Sequence, residues 1–138
     1  MQKIAHRGLW GGDIPENSMA GFKAAAAHGL GIELDVHLSA DGVPMVFHDA
    51  VLTRLTGHAG RIYQVSAEAL QAIKLITTGG QPEAIPILAD ALAVFPTDLP
   101  VLIEIKPPHA DSPWDDVATA NAVLAVMEKQ AGANVCAM

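Results

Sequence analysis

Four small groups of acids, histidines and cations stand at the ends of apolar runs in this chain. His6-Arg7-Gly8 follows Ile4-Ala5, and Glu33-x-Asp35 lies inside GIELDVHLS. His48-Asp49 comes after VPMVF, and Glu104-x-Lys106 closes LPVLIEIK. Ionisable groups at strand ends are costly to desolvate unless something binds among them. Glu33 and Asp35 are two residues apart in an extended run, so their carboxylates emerge on one face, where they repel and one tends to hold its proton. A hard divalent cation, Mg2+ or Ca2+, relieves that repulsion because it takes carboxylate oxygen ligands. Glu104, in a second run of the same pattern, is the candidate third ligand. Without a cation, the same acids would serve as a solvated strand edge or as structural ion pairs.

His6 and His48 are the candidates for proton transfer, since imidazole changes charge near neutral pH without special tuning. Cleaving a phosphodiester requires one group to deprotonate the nucleophile and another to protonate the leaving alkoxide. Two histidines on opposite sides of a phosphate would supply both. Arg7 and Lys106 are the cations beside the acids and suit non-bridging phosphate oxygens, with Glu16 available to hold the far edge of Arg7. His37 shares a face with Glu33 and Asp35, and its role stays open. Asp49 either orients His48 or opens the loop that follows. His28, His58 and His109 are assigned to packing or the surface. The loop glycines make neither a P-loop nor a dinucleotide fingerprint.

Strands and helices in alternation must carry these groups. Ile4–His6 is a short strand, and the following helix has Asn17 or Ser18 as N-cap, runs through Met19, Phe22 and Ala26, and stops at Gly29. In GIELDVHLS, Ile32, Leu34 and Val36 oppose Glu33, Asp35 and His37. Asp41-Gly42 marks a turn before the extended VPMVF, and residues 49–65 form a polar, irregular stretch. A helix is expected over 66–76, capped by Ser66, with Leu70, Ile73 and Ile76 near one face. Another carries Leu88, Leu92 and Phe95 up to Pro96. In LPVLIEIK, Val101, Ile103 and Ile105 oppose Leu102, Glu104 and Lys106. A helix from about Trp114 to Lys129 and a fourth strand starting at Asn134 complete the pattern.

Strands apolar on one face and charged on the other, alternating with helices, fit a parallel (β/α)8 barrel with the site at its mouth. An open doubly wound sheet is the alternative. Such a barrel needs roughly 250 residues, whereas this chain has 138. Residues 1–138 are therefore expected to form an incomplete N-terminal half-barrel within a single domain. Its unpaired edges invite self-association.

Hydrophobic residues make up 51% and charged residues 17%, which places the chain among globular proteins. The net charge of −7 argues against nucleic acid as a partner but not against a small phosphate ester. Cys136 is the single cysteine, so no internal disulfide forms. No run approaches the 18 apolar residues of a membrane span, and no secretory signal precedes the first strand, so a cytoplasmic address is expected.

The ordered set AHRG, PENS, GIELDVHLSADGVPMVFHD, LTRLTG, IPILADAL and LPVLIEIK resembles the N-terminal half of a glycerophosphodiester phosphodiesterase, across residues 3–107. That family belongs to the phospholipase-C-like phosphodiesterase TIM barrels. The resemblance implies His6 and His48 as the general acid/base pair and Glu33, Asp35 and Glu104 as ligands of one Mg2+ or Ca2+. It also implies Arg7 and Lys106 at the phosphate and Glu16 as the glutamate of the PEN segment. The implied reaction is hydrolysis of glycerophosphodiesters, in lipid catabolism, to glycerol 3-phosphate and an alcohol such as choline or ethanolamine. In the family route the glycerol 2-hydroxyl attacks the phosphorus to give a cyclic phosphate that water then opens. A relative acting on lysophospholipid or phosphosphingolipid head groups is the second reading. An inactive half-barrel that acts through association is the third.

Overall fold

The computed structural model describes residues 1–130 and 135–138. Its centre is β2 (Gly31–Leu38), whose eight residues are all buried. Parallel neighbours flank it: β1 (Ile4–His6) on one side and β4 (Val101–Ile105) on the other. β5 (Val135–Ala137) adds to β4, again parallel. β3 (Pro44–Val46) folds back antiparallel onto the far end of β2, with Val36 opposite Val46. Among the described residues the sheet is open, in the order β1-β2-β4-β5. The expected start of the last strand at Asn134 lies outside the described residues.

The register places the polar groups. His6 pairs with Glu33 and Asp35 with Glu104, and directly paired residues of a parallel ladder project from the same face. Gly31 fixes the entry to this register, because a Cβ there would lie 2.5 Å from the Pro100 ring. Ile32, Leu34, Val36, Val101 and Ile103 fill the opposite face. Against them pack α1 (Met19–Ala27) through Phe22 and Ala25, α4 (Leu88–Val94) through Leu88, Ala91 and Leu92, and α5 (Asp116–Lys129) through Val123. Ser18 is the N-cap of α1, its hydroxyl accepting from Gly21 N–H at 3.1 Å, and Gly29 leaves the helix with φ 64°.

The chain from β3 to the start of α4 forms a second core. Met45 and Phe47 leave β3 on the side opposite Val46 and meet Leu52, Ile62, Tyr63, Leu70, Leu75 and Ile85. The stretch 49–65, expected to be irregular, contains α2 (Thr53–Thr56) and a 3-10 turn at Ile62–Gln64. The helix expected over 66–76 is shorter: α3 spans Ala67–Ala72, capped by Ser66. Ile73 is already extended, Lys74 bridges Ala84, and Leu75 N–H donates to Glu83 O at 2.8 Å. Pairing across the loop thus outcompetes the helical periodicity. It buries Leu75 and leaves Ile76 exposed rather than on a packed face. α5 begins two residues later than expected. Asp115 caps it, and Trp114 donates its indole N–H to Ser39 O at 2.8 Å.

Candidate active site

Midway along β2 and near the C-terminal end of β4, one oxygen from each of Glu33, Asp35 and Glu104 comes within 4.8 Å of the others. Asp35 is completely buried. Its Oδ2 accepts from the Asn17 amide at 2.9 Å and faces Arg7 Nε at 3.2 Å. Its Oδ1 meets Lys106 Nζ at 2.9 Å, an ion pair without hydrogen-bond alignment. Burial alone would raise the Asp35 carboxyl. The Asn17 amide and the Lys106 ammonium together bring it below the ordinary aspartate value. Lys106 also reaches Glu104 at 2.6 Å. Burial works to lower the Lys106 ammonium, and its two carboxylate partners overcome this and raise it.

Glu33 is the poorly compensated member. Its Oε2 accepts from Arg7 N–H at 3.1 Å and lies 3.8 Å from His6 Nε2, while Oε1 is buried with no hydrogen-bond partner. Burial, then the Asp35 charge, push its carboxyl above the ordinary glutamate value. A divalent cation fits this donor set, because three carboxylates converge and one buried oxygen lacks a partner.

Two residues near the acids hold backbone that side chains rarely adopt: Arg7 has φ 59° and Asn17 φ 51°. Asparagine tolerates that region, whereas arginine adopts it only under constraint. The bend at Arg7 presents its N–H to Glu33 and its guanidinium to Glu16 and Asp35 at once. Gly8 next to it must stay bare, since a Cβ would approach the Gly21 carbonyl carbon and the Phe22 ring at 3.0 Å.

His48 lies on the loop after β3. Asp49 Oδ1 sits 2.7 Å from its Nδ1. A carboxylate only accepts, so Nδ1 carries the hydrogen and Nε2 is left as the basic nitrogen. Asp49 therefore orients His48, the first of its two expected roles. His37, whose role was open, is buried and donates Nε2–H to the His48 carbonyl at 2.9 Å. Burial lowers its pKa, so it is a neutral brace for the His48 loop. His6 is 67% exposed at its side chain and beside Glu33. His28 and His58 lie at the surface, and His109 pairs with Asp111 in the loop after β4.

Two participants escape a reading of the sequence. Asn17 leaves the cap of α1 to Ser18, and its side chain clamps Asp35 instead. Arg54, an unremarkable residue of LTRLTG, grips both Asp49 and Glu16. Their only signal was polar side chains within short segments of otherwise apolar or loop character.

Comparison with known proteins agrees with this geometry. The model of the glycerophosphoryl diester phosphodiesterase family matches residues 6–134. Glycerophosphodiester phosphodiesterase 1 of Bos taurus is 35% identical over 96 residues, 65% of this chain and 29% of its own. The glycerophosphodiester phosphodiesterase of Caldanaerobacter subterraneus subsp. tengcongensis is 37% identical over 108 residues, 75% of this chain and 44% of its own. An Oleispira antarctica phosphodiesterase, solved with the product sn-glycerol-3-phosphate, superimposes with TM-score 0.83 at 29% identity, over 99% of this chain and 56% of that one. The glycerophosphodiester phosphodiesterase of Agrobacterium tumefaciens gives TM-score 0.83 at 27% identity, over 100% of this chain and 58% of that one. The chain thus spans less than half the length of these two curated relatives and little more than half of the two solved structures. It is a member of the glycerophosphoryl diester phosphodiesterase family.

Proposed function

We propose that this chain supplies the N-terminal half of a (β/α)8 barrel that hydrolyses glycerophosphodiesters to glycerol 3-phosphate and an alcohol. Residues 1–138 form part of one domain in this reading. The observation that carries it is the convergence of Glu33, Asp35 and Glu104, with His6 beside the first. The product-bound Oleispira antarctica relative supports the substrate class.

Glu33, Asp35 and Glu104 would hold one Mg2+ or Ca2+, which when bound offsets negative charge on the phosphoryl oxygens. Arg7 and Lys106 are already oriented by carboxylates, and they turn their remaining N–H groups toward the phosphate. One histidine takes the proton of the glycerol 2-hydroxyl as its oxygen bonds to phosphorus. The other protonates the departing alcohol oxygen as the phosphorus–oxygen bond breaks. Tethering of the nucleophile avoids the entropy loss of recruiting water. Water then opens the cyclic phosphate, with the histidines exchanging roles.

A diester that carries an acyl chain is the second reading. It is favoured by Leu9 and Trp10, which are exposed on the loop beside His6, the indole N–H of Trp10 donating to His6 O at 3.0 Å. The test is release of glycerol 3-phosphate by the full-length protein from glycerophosphocholine, against release of choline-containing product from lysophosphatidylcholine. Exhaustive chelation should abolish the activity, and Mg2+ or Ca2+ should restore it. Activity that survives chelation would refute the cation reading.

A further inference from the structure

Arg54 lies outside the cluster of acids and cations at the sheet, yet it connects the two arms that carry His48 and Arg7. Its Nε and Nη2 donate to Asp49 Oδ2 and Oδ1 at 2.7 and 2.8 Å. The same guanidinium donates from Nη2 and Nη1 to Glu16 Oε1 and Oε2 at 2.8 and 3.2 Å. Asp49 in turn holds His48 Nδ1, and Glu16 holds Arg7 Nη1 at 3.1 Å. One planar cation therefore forks onto two carboxylates. Each carboxylate orients one group at the proposed reaction centre.

We propose that Arg54 is a positioning residue of the site: it fixes His48 through Asp49 and Arg7 through Glu16, and it touches no substrate itself. The inference rests on the reading of His48 as a proton-transfer group and of Arg7 as a phosphate ligand. Arg54 is firmly mounted for this role. Leu52, just before α2, is fully buried, the Thr56 hydroxyl donates to Leu52 O at 2.7 Å, and Ile76 N–H donates to Leu55 O at 2.8 Å. Its own side chain is 48% exposed. Half-exposed ion pairs contribute little to folding, so a fourfold-bonded guanidinium there does more for orientation than for stability. Electrostatics agree with the tight fit. Arg54 holds Asp49 well below the usual carboxylate range, and it offsets the rise that burial would impose on Glu16.

A lysine keeps the charge but offers a point donor that cannot span two carboxylates in the plane of a fork. Arg54→Lys and Arg54→Met in the full-length protein should therefore both lower kcat on glycerophosphocholine by about 10–100-fold, the range seen when an outer-shell orienting partner is lost. KM should change far less, and the melting temperature should hold for Arg54→Lys. Loss from Arg54→Met and Asp49→Asn combined should fall well short of the product of the two single losses, because both break one chain of contacts. The ring-15N shifts of His48 should show a fixed Nδ1–H tautomer in the wild type and a mixture in Arg54→Met. Wild-type kcat in Arg54→Lys, a loss confined to KM, or full multiplicativity with Asp49→Asn would overturn the proposal. If the wild type hydrolyses no diester, the family-based reading fails on its own. The His48 tautomer then still decides the role of Arg54: unchanged in Arg54→Met, it refutes that role.

Discussion

Glutamine in place of Glu33 should make the cation-free protein more stable and the cation-loaded protein less so. The reason lies in how Glu33 is housed. Its carboxylate is buried next to the ionised Asp35, accepts one N–H from Arg7 and leaves Oε1 without a partner. Its pKa in the folded state is raised above the ordinary value of 4.5 by burial and by Asp35. Stability linked to a raised carboxyl is fully present below the unfolded pKa and is lost as pH rises through the folded one. The wild type therefore loses it as the Glu33 carboxyl ionises. Glutamine remains neutral, keeps an acceptor for Arg7 N–H and turns an amide donor toward the acids. Removing one unsatisfied buried group is worth about 1–2 kcal/mol, or roughly 2–8 °C in melting temperature for a domain of 150–250 residues. A cation at about 100 times its Kd adds ~2.7 kcal/mol to the wild type, and Glu33→Gln should lose most of that gain. Thermal melts of the full-length protein at about pH 7.5 and about pH 4, above and below the ordinary carboxyl value of 4.5, with EDTA or excess Mg2+, provide four comparisons. The variant should lead only in EDTA at the higher pH. A Glu33→Gln protein that melts below wild type in EDTA at neutral pH would refute the account of Glu33 as the strained acid.

His6→Ala and His48→Ala should each reduce turnover by ~10²–10⁴-fold while leaving Mg2+ affinity, measured by the melting shift, near wild type; a parallel loss of both would recast that histidine as a ligand. Residues 1–138 expressed alone leave the outer edges of β1 and β5 unpaired among the described residues, so size-exclusion chromatography should show association or aggregation. A sharp monomer peak with a cooperative melt would show that this open sheet is self-sufficient.

The central strand and the acids were legible because β2 and β4 obey a strict alternation, and a period of two fixes which side chains share a face. Once Asp35 and Glu104 lie opposite each other in the ladder, the meeting of the three carboxylates follows from main-chain pairing alone. The Ser18 cap was equally local, set by one hydroxyl and the N–H three residues on. What was not legible depends on partners remote in sequence. Lys74 leaves the helical pattern because Ala84 is there to pair with it. Arg54 lies 38 residues from Glu16, and no spacing rule connects them. The second core was hidden because its members, from Met45 to Ile85, are scattered singly through a polar stretch rather than repeated at a regular period.

The distance along the chain between the three carboxylates also has a kinetic consequence. Glu33 and Asp35 arrive together on β2, but Glu104 joins them only when β4 docks, after β3, α2 to α4 and the second core have been threaded between. Until that docking the unfolded chain presents at most an adjacent pair of acids, and closing so long a loop carries a high entropic cost. A cation that needs all three has nothing to recognise earlier, so it cannot guide the chain toward the native pairing. Its grip falls entirely on the assembled strands, where it delays their separation. For such a protein, scarcity of the ion would leave the speed of folding unchanged and would shorten the lifetime of the folded molecule.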